Sequence, residues 1–171
     1  DLAYNSNGSE FRLGDTTFPI PMSGELNVRN ALAALSLARY AGLSDGQIQS
    51  GFDTFKGIRR RMEIRGEAGG VTVIDDFAHH PTAIATTLDG LRRRVGDEQV
   101  LAVIEPRSNT MRLGRHREAL AASARDADQV IWYQPPGLEW SLDAVVAESP
   151  VPARVETDLD ALVASVAAQP G

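Results

Sequence analysis

The sequence has 171 residues, enough for roughly one to one and a half domains, and its 43% hydrophobic content can bury a core. No apolar run reaches the length of a membrane span and no signal peptide is visible at the start. Cysteine is absent, which excludes disulfides, thiolate metal sites and a cysteine nucleophile and fits a cytoplasmic protein; the net charge of −6 argues against nucleic acid as the main partner.

In chain order, Phe11-Arg12-Leu13 and Thr16-Thr17-Phe18 flank Gly14-Asp15 and read as a β-hairpin closed by Pro19 and Pro21. The Ala- and Leu-rich stretch from Asn27 to Ala38 predicts a helix that ends near Gly42. A second helix is expected from Asp45 to Phe55, with Ile48, Phe52 and Phe55 on one face. One hairpin and two helices make a poor independent core, so residues 1–57 read as the end of a domain.

After Gly57 the pattern becomes regular. Strands are expected at Met62–Glu67 and Val71–Asp76, joined at Gly69-Gly70, then a helix from Pro81 to about Arg94. Strand Val100–Glu105, helix Arg115–Ala127, strand Gln129–Tyr133, helix Leu142–Glu148, strand Ala153–Glu156 and helix Asp158–Ala168 follow, with Asp158 as an N-cap. This alternation predicts an α/β domain over 58–171, Rossmann-like, with a mostly parallel sheet and helices on both faces. A doubly wound sheet normally continues into another strand after such a helix, so a truncated or disordered end is expected.

Charge is unevenly distributed. Residues 58–117 hold 8 acids and 11 bases, while 118–171 hold 9 acids and 2 bases. All bases of the middle section are arginine, and Lys56 is the only lysine in the chain. Arginine makes planar, bidentate contacts to phosphate and carboxylate, so an anionic small ligand is expected; an ordinary solvated surface is the simpler alternative.

That section surrounds Val71-Thr72-Val73-Ile74-Asp75-Asp76-Phe77-Ala78-His79-His80-Pro81-Thr82. Four ionisable groups follow a β-branched run, at the carboxyl end of a strand, where open α/β sheets bind ligands. Carboxylate and imidazole suit a metal, but neighbouring strand residues point to opposite faces, so only one aspartate faces a cleft easily. A nucleotide or substrate site using Asp76 and one histidine is the other reading, and a structural turn with an aspartate capping the Pro81 helix is a third.

Glu105-Pro106-Arg107-Ser108-Asn109-Thr110-Met111 ends the next strand, and its Arg107, Ser108, Asn109 and Thr110 offer several donors to a carboxylate or peptide. Arg59-Arg60-Arg61 precede a strand and read as phosphate contacts or as a basic linker. Asn27 and Asn30 sit three apart at a helix start and can read an adenine edge, although Asn27 is also a good N-cap. No Gly-x-x-x-x-Gly-Lys-Ser/Thr phosphate loop, Gly-x-Ser-x-Gly elbow or zinc signature is present.

These residues resemble the Mur ligases, the ATP-dependent amide-forming enzymes of peptidoglycan precursor synthesis. Gly24-Glu25-Leu26-Asn27-Val28-Arg29-Asn30-Ala31 is similar to the Gly-x-His-Asn-x-x-Asn-Ala motif that closes their central ATPase domain, and Arg60-Arg61-Met62-Glu63 to the start of their C-terminal domain. The Asp75–Thr82 segment resembles their nucleotide and substrate motif. The Glu105–Met111 loop resembles the branch that joins UDP-N-acetylmuramate to L-alanyl-γ-D-glutamyl-meso-diaminopimelate; the branch that adds L-alanine has a more basic loop there and is the alternative. A metal-dependent phosphoesterase using Asp75, Asp76, His79 and His80 is a further alternative.

The resemblance implies that residues 1–57 end the ATPase domain and 58–171 form the amino-substrate domain. It implies ATP and Mg²⁺ as cofactors, held mainly outside this chain, and no nucleic-acid or membrane partner. Asn27 and Asn30 are then expected to contact adenine, and Arg61 and Asp76 the nucleotide's phosphate and ribose. His79 and His80, with Arg107, Ser108, Asn109 and Thr110, are expected to face the peptide. No catalytic residue or metal ligand is assigned within the chain. Leu26 departs from the family histidine, and Phe77 from a frequent tyrosine.

Overall fold

The computed structural model describes residues 2–5, 8–107, 111, 113–114 and 117–169. The chain divides into two compact units, Asp1–Ile58 with Asp89–Asp97, and Arg59–Leu88 with Glu98–Gly171.

The first unit opens with strands β1 (Leu2–Asn5), β2 (Gly8–Leu13) and β3 (Thr16–Ile20), an antiparallel sheet in the order β1-β2-β3. Alternation sets the buried face: Ser9 and Phe11 are inward on β2, Phe18 and Ile20 on β3, while Glu10 and Arg12 are exposed. Phe11 lies opposite Phe18 in register, and their rings stack with centroids 5.6 Å apart. Pro19 cannot donate to a ladder, and it sits on an edge strand, β3. The expected hairpin is therefore present, with β1 added to it; four residues carry too little pattern to announce a strand.

Helix α1 (Glu25–Tyr40) places Val28, Ala31 and Leu35 on one face, at helical spacing, in a core with Phe11, Phe18, Ile20 and Ile48. The cap is Gly24 at φ 98°, so Asn27 is a helix residue and not the N-cap. Its amide instead donates to the Ser23 carbonyl at 2.8 Å. Helix α2 (Asp45–Thr54) begins with a reciprocal capping box between Ser44 and Gln47. Arg39 clamps Asp45 through two bonds of 2.8 Å, tying the end of α1 to the start of α2 and, chiefly through that hydrogen bonding, holding the Asp45 carboxyl below its usual value.

The second unit contains a hairpin of β4 (Glu63–Ala68) and β5 (Val71–Asp75), paired antiparallel, with a register shift between Ile64 and Gly66. Gly69 and Gly70 turn it, both at positive φ, as a two-residue hairpin requires. Helix α3 (Pro81–Val95) starts with proline at its first position and buries Ile84 and Leu88; its residues from Asp89 group with the first unit.

Strands β6 (Leu101–Ile104), β7 (Gln129–Tyr133) and β8 (Ala153–Glu156) form a parallel sheet in the order β6-β7-β8. Central β7 buries Val130, Ile131 and Trp132 in succession, as a strand covered on both faces does. Between and after the strands lie α4 (Arg117–Ser123), α5 (Asp143–Ala147) and α6 (Leu159–Ala167). Asp158 caps α6 by accepting the Ala161 N–H at 2.9 Å. No helix among the described residues is long and apolar enough to cross a membrane.

Candidate functional site

Several polar groups converge where β5 ends. The backbone corner at Arg60 and Met62 adopts the left-handed region, φ 56° and 52°, which non-glycine residues rarely occupy. Three hydrogen bonds hold it. The Arg60 N–H donates to Glu63 Oε2 at 2.8 Å, the Phe77 N–H to the Arg60 carbonyl at 2.8 Å, and the Met62 N–H to Asp76 Oδ2 at 2.9 Å. Strain of this kind persists only where the surroundings over-determine it.

Asp76 has further duties. Its Oδ1 accepts the Ala78 N–H at 2.7 Å and the Thr87 hydroxyl at 3.3 Å. Neighbouring Asp75 turns toward Arg60, whose Nε lies 3.6 Å from Oδ2. The two carboxylates thus diverge, as strand alternation requires, and among the described residues no group of three or more His, Asp or Glu can hold a metal ion. The Glu63 carboxyl is held below its usual value, first by the Arg60 N–H and then by Arg65 and Arg59, against the opposing effect of desolvation.

Above this corner Phe77, 43% exposed, is faced by three side chains. The Arg60 guanidinium carbon is 4.7 Å from its ring centroid, that of Arg61 is 5.8 Å, and the His79 ring is 4.9 Å away. The His79 Nδ1–H donates to the Phe77 carbonyl at 2.9 Å. His80 Nδ1 instead accepts the Thr82 N–H at 3.3 Å, at the start of α3. The two rings therefore use Nδ1 in opposite roles, as a donor in His79 and as an acceptor in His80. The cap on the Pro81 helix is His80, correcting the expectation of an aspartate.

At the end of β6, Pro106 is buried and Arg107 exposed. Ser108, Asn109 and Thr110 lie outside the described residues. Beyond them Met111 is buried, and the Trp140 indole N–H donates to its carbonyl at 3.2 Å. Asn27 and Asn30 belong to the first unit, where they line a cavity of about 400 Å³ with Met22, Ala34, Ile48 and Phe52. Arg61, Asp76, His79 and His80 share the β5 corner. Reasoning from sequence missed Thr87, the Met62 N–H and the stacking of cations on Phe77; the Arg-Arg pair was visible, but its aromatic partner lies 16 positions beyond Arg61.

Residues 60–171 match the Mur ligase family, in its glutamate ligase domain, and the chain belongs to that family. It is 45% identical, over 151 residues, to the UDP-N-acetylmuramate–L-alanyl-γ-D-glutamyl-meso-2,6-diaminoheptanedioate ligase of Escherichia coli (strain K12), covering 86% of this chain and 33% of that protein. It is 41% identical, over 120 residues, to the UDP-N-acetylmuramate–L-alanine ligase of Salinibacter ruber, covering 70% of this chain and 25% of that protein. Among solved structures, the murein peptide ligase of Psychrobacter arcticus 273-4 superposes with a TM-score of 0.65 at 39% identity, covering 95% of this chain and 34% of that one. The UDP-N-acetylmuramate–alanine ligase of Thermotoga maritima shares the fold, with a TM-score of 0.76 at 21% identity over 95% of this chain and 37% of that one. The chain spans about a third of the length of the E. coli relative.

Proposed function

We propose that this chain is part of an ATP-dependent, ADP-forming ligase that joins UDP-N-acetylmuramate to L-alanyl-γ-D-glutamyl-meso-diaminopimelate, acting in cell-wall recycling. The observation that carries this reading is the 45% identity, over 86% of the chain, to a ligase named for those substrates. Residues 1–57 are read as the end of the nucleotide-binding domain and 58–171 as the amino-substrate domain. Transfer of a γ-phosphoryl group to the muramoyl carboxylate gives an acyl phosphate. Attack by the tripeptide amine gives a tetrahedral intermediate that loses phosphate and leaves the amide.

The chain's own contribution is binding and orientation. Asn27 and Asn30 are assigned to adenine, Arg61 to phosphate and Asp76 to the ribose side. His79, His80 and the Arg107–Thr110 loop are assigned to the peptide. Asp75 and Asp76 do not form a Mg²⁺ site, because Asp75 faces Arg60 and Asp76 already accepts from three donors. No step is therefore assigned to the metal through this chain.

Full-length protein tests the reading. Offered L-alanine and the tripeptide side by side, it should release ADP with the tripeptide and not with L-alanine. The opposite preference would establish the L-alanine ligase, the reading favoured by the 41% identity to that enzyme. Arg107→Ala should raise the KM for the tripeptide about tenfold and leave the KM for ATP within about twofold. Unchanged tripeptide kinetics would remove Arg107 from the peptide site.

A further inference from the structure

We propose that Phe77 is a positioning residue for Arg61, a fixed aromatic platform that holds this guanidinium toward the phosphoryl oxygens of the nucleotide. The proposal rests on the reading above that Arg61 contacts the nucleotide's phosphate. Four observations carry it.

First, the Phe77 ring is 43% exposed, yet both guanidinium groups of the corner lie against it, at 4.7 Å for Arg60 and 5.8 Å for Arg61. Aromatic quadrupoles attract cations over this range. Second, platform and arginines are fixed to one another by one backbone bond and one carboxylate: the Phe77 N–H donates to the Arg60 carbonyl at 2.8 Å, and the side chain of Asp76, the residue before Phe77, accepts the Met62 N–H at 2.9 Å. Ring and arginine Cα atoms therefore hold their spacing without any side-chain ion pair. Third, the two cations differ in what balances them. Arg60 faces Asp75 at 3.6 Å, whereas among the described residues no carboxylate pairs with Arg61, so the charge of Arg61 remains for an anion. Fourth, the left-handed Arg60 and Met62 show the corner bent against its backbone preference, as occurs at ligand clamps.

An unsupported arginine samples many rotamers and loses that freedom when it binds. A stacked one has lost much of it beforehand, which raises affinity without a new ligand contact. Phe77 need not touch the nucleotide; it acts through Arg61. A tyrosine, which keeps the ring face, serves the same end.

The test uses full-length protein and ATP. Phe77→Leu keeps apolar bulk and removes the ring; it should raise the KM for ATP about fivefold, with the KM for the tripeptide within about twofold. Phe77→Tyr should retain the wild-type KM for ATP. In an Arg61→Ala background, Phe77→Leu should add nothing further, because the residue it positions is gone. If Arg61→Ala raises the KM for ATP and Phe77→Leu does not, the platform is overturned and the phosphate assignment stands. If the two effects multiply in the double variant, Phe77 acts independently of Arg61 and the proposal is overturned. If Arg61→Ala leaves the KM for ATP unaltered, the phosphate assignment fails and the proposal falls with it.

Discussion

Asp76 accepts the backbone N–H of Met62 at 2.9 Å, and through that bond the end of β5 fixes a left-handed residue 14 positions earlier in the chain. The same carboxylate accepts the Ala78 N–H at 2.7 Å. Asp76→Ala removes both acceptors from part-buried donors and should destabilise the chain by about 1–3 kcal/mol, read by urea unfolding. Asp76→Asn keeps one carbonyl oxygen and should lose roughly half as much. Equal losses in the two variants would mean that charge, not acceptor number, holds the corner.

This bond also shows where the sequence stops being legible. Local signals were readable: Gly69-Gly70 marks a hairpin turn, and Asp158 precedes a helical run. The strand-end position of Asp75 to His80 was equally visible, because β-branched runs and Pro81 bracket it. The left-handed Arg60 and Met62 were not, since neither is glycine and the groups that bend them come from β4 and from beyond β5. Asn27 reads as a cap on local grounds, but Gly24 starts the helix one turn earlier. The opposite Nδ1 roles of His79 and His80 depend on backbone partners that only the folded turn supplies.

Glu63 gives the corner an acid limit. Its carboxyl is held below the ordinary value of 4.5, first by the Arg60 N–H. A carboxyl lowered in the folded state contributes stability that is fully present above its unfolded value and is lost as pH falls through the folded one. Wild type should therefore exceed Glu63→Gln in stability by a constant margin above about pH 4.5, and the margin should shrink below it. Asp45, also lowered, is common to both proteins and cancels in the difference. Urea midpoints of the pair across pH 3 to 7 provide the measurement; a margin that grows toward low pH contradicts the role of the Arg60 N–H.

Gly114 and Trp140 form a second fixed contact. Gly114 has φ 67°, and a Cβ there would lie 3.3 Å from Cδ1 of the Trp140 ring. Gly114→Ala combines left-handed strain with that close approach and should lose about 1–2 kcal/mol in thermal or urea unfolding. Trp140→Phe keeps a ring beside Gly114 but removes the N–H that reaches the Met111 carbonyl at 3.2 Å, and should lose about 1 kcal/mol. If Gly114→Ala recovers stability when Trp140 is also changed to Phe, ring contact is the larger part of its loss; if it does not, backbone strain is.

Met62 separates backbone strain from side-chain packing at the β5 corner. Its φ of 52° is costly for any residue with a Cβ, most of all for a β-branched one, and least for asparagine. Met62→Val should therefore destabilise by about 1–2 kcal/mol, although valine is apolar and smaller than the methionine it replaces. Met62→Asn surrenders apolar contact but suits the left-handed region, and should lose less than Met62→Val. The order decides the cause, because packing alone would rank valine above asparagine at this half-buried position. Urea unfolding of the two variants at pH 7 measures it. Asparagine above valine confirms a corner limited by its backbone, held left-handed by Asp76 against the preference of its own residue.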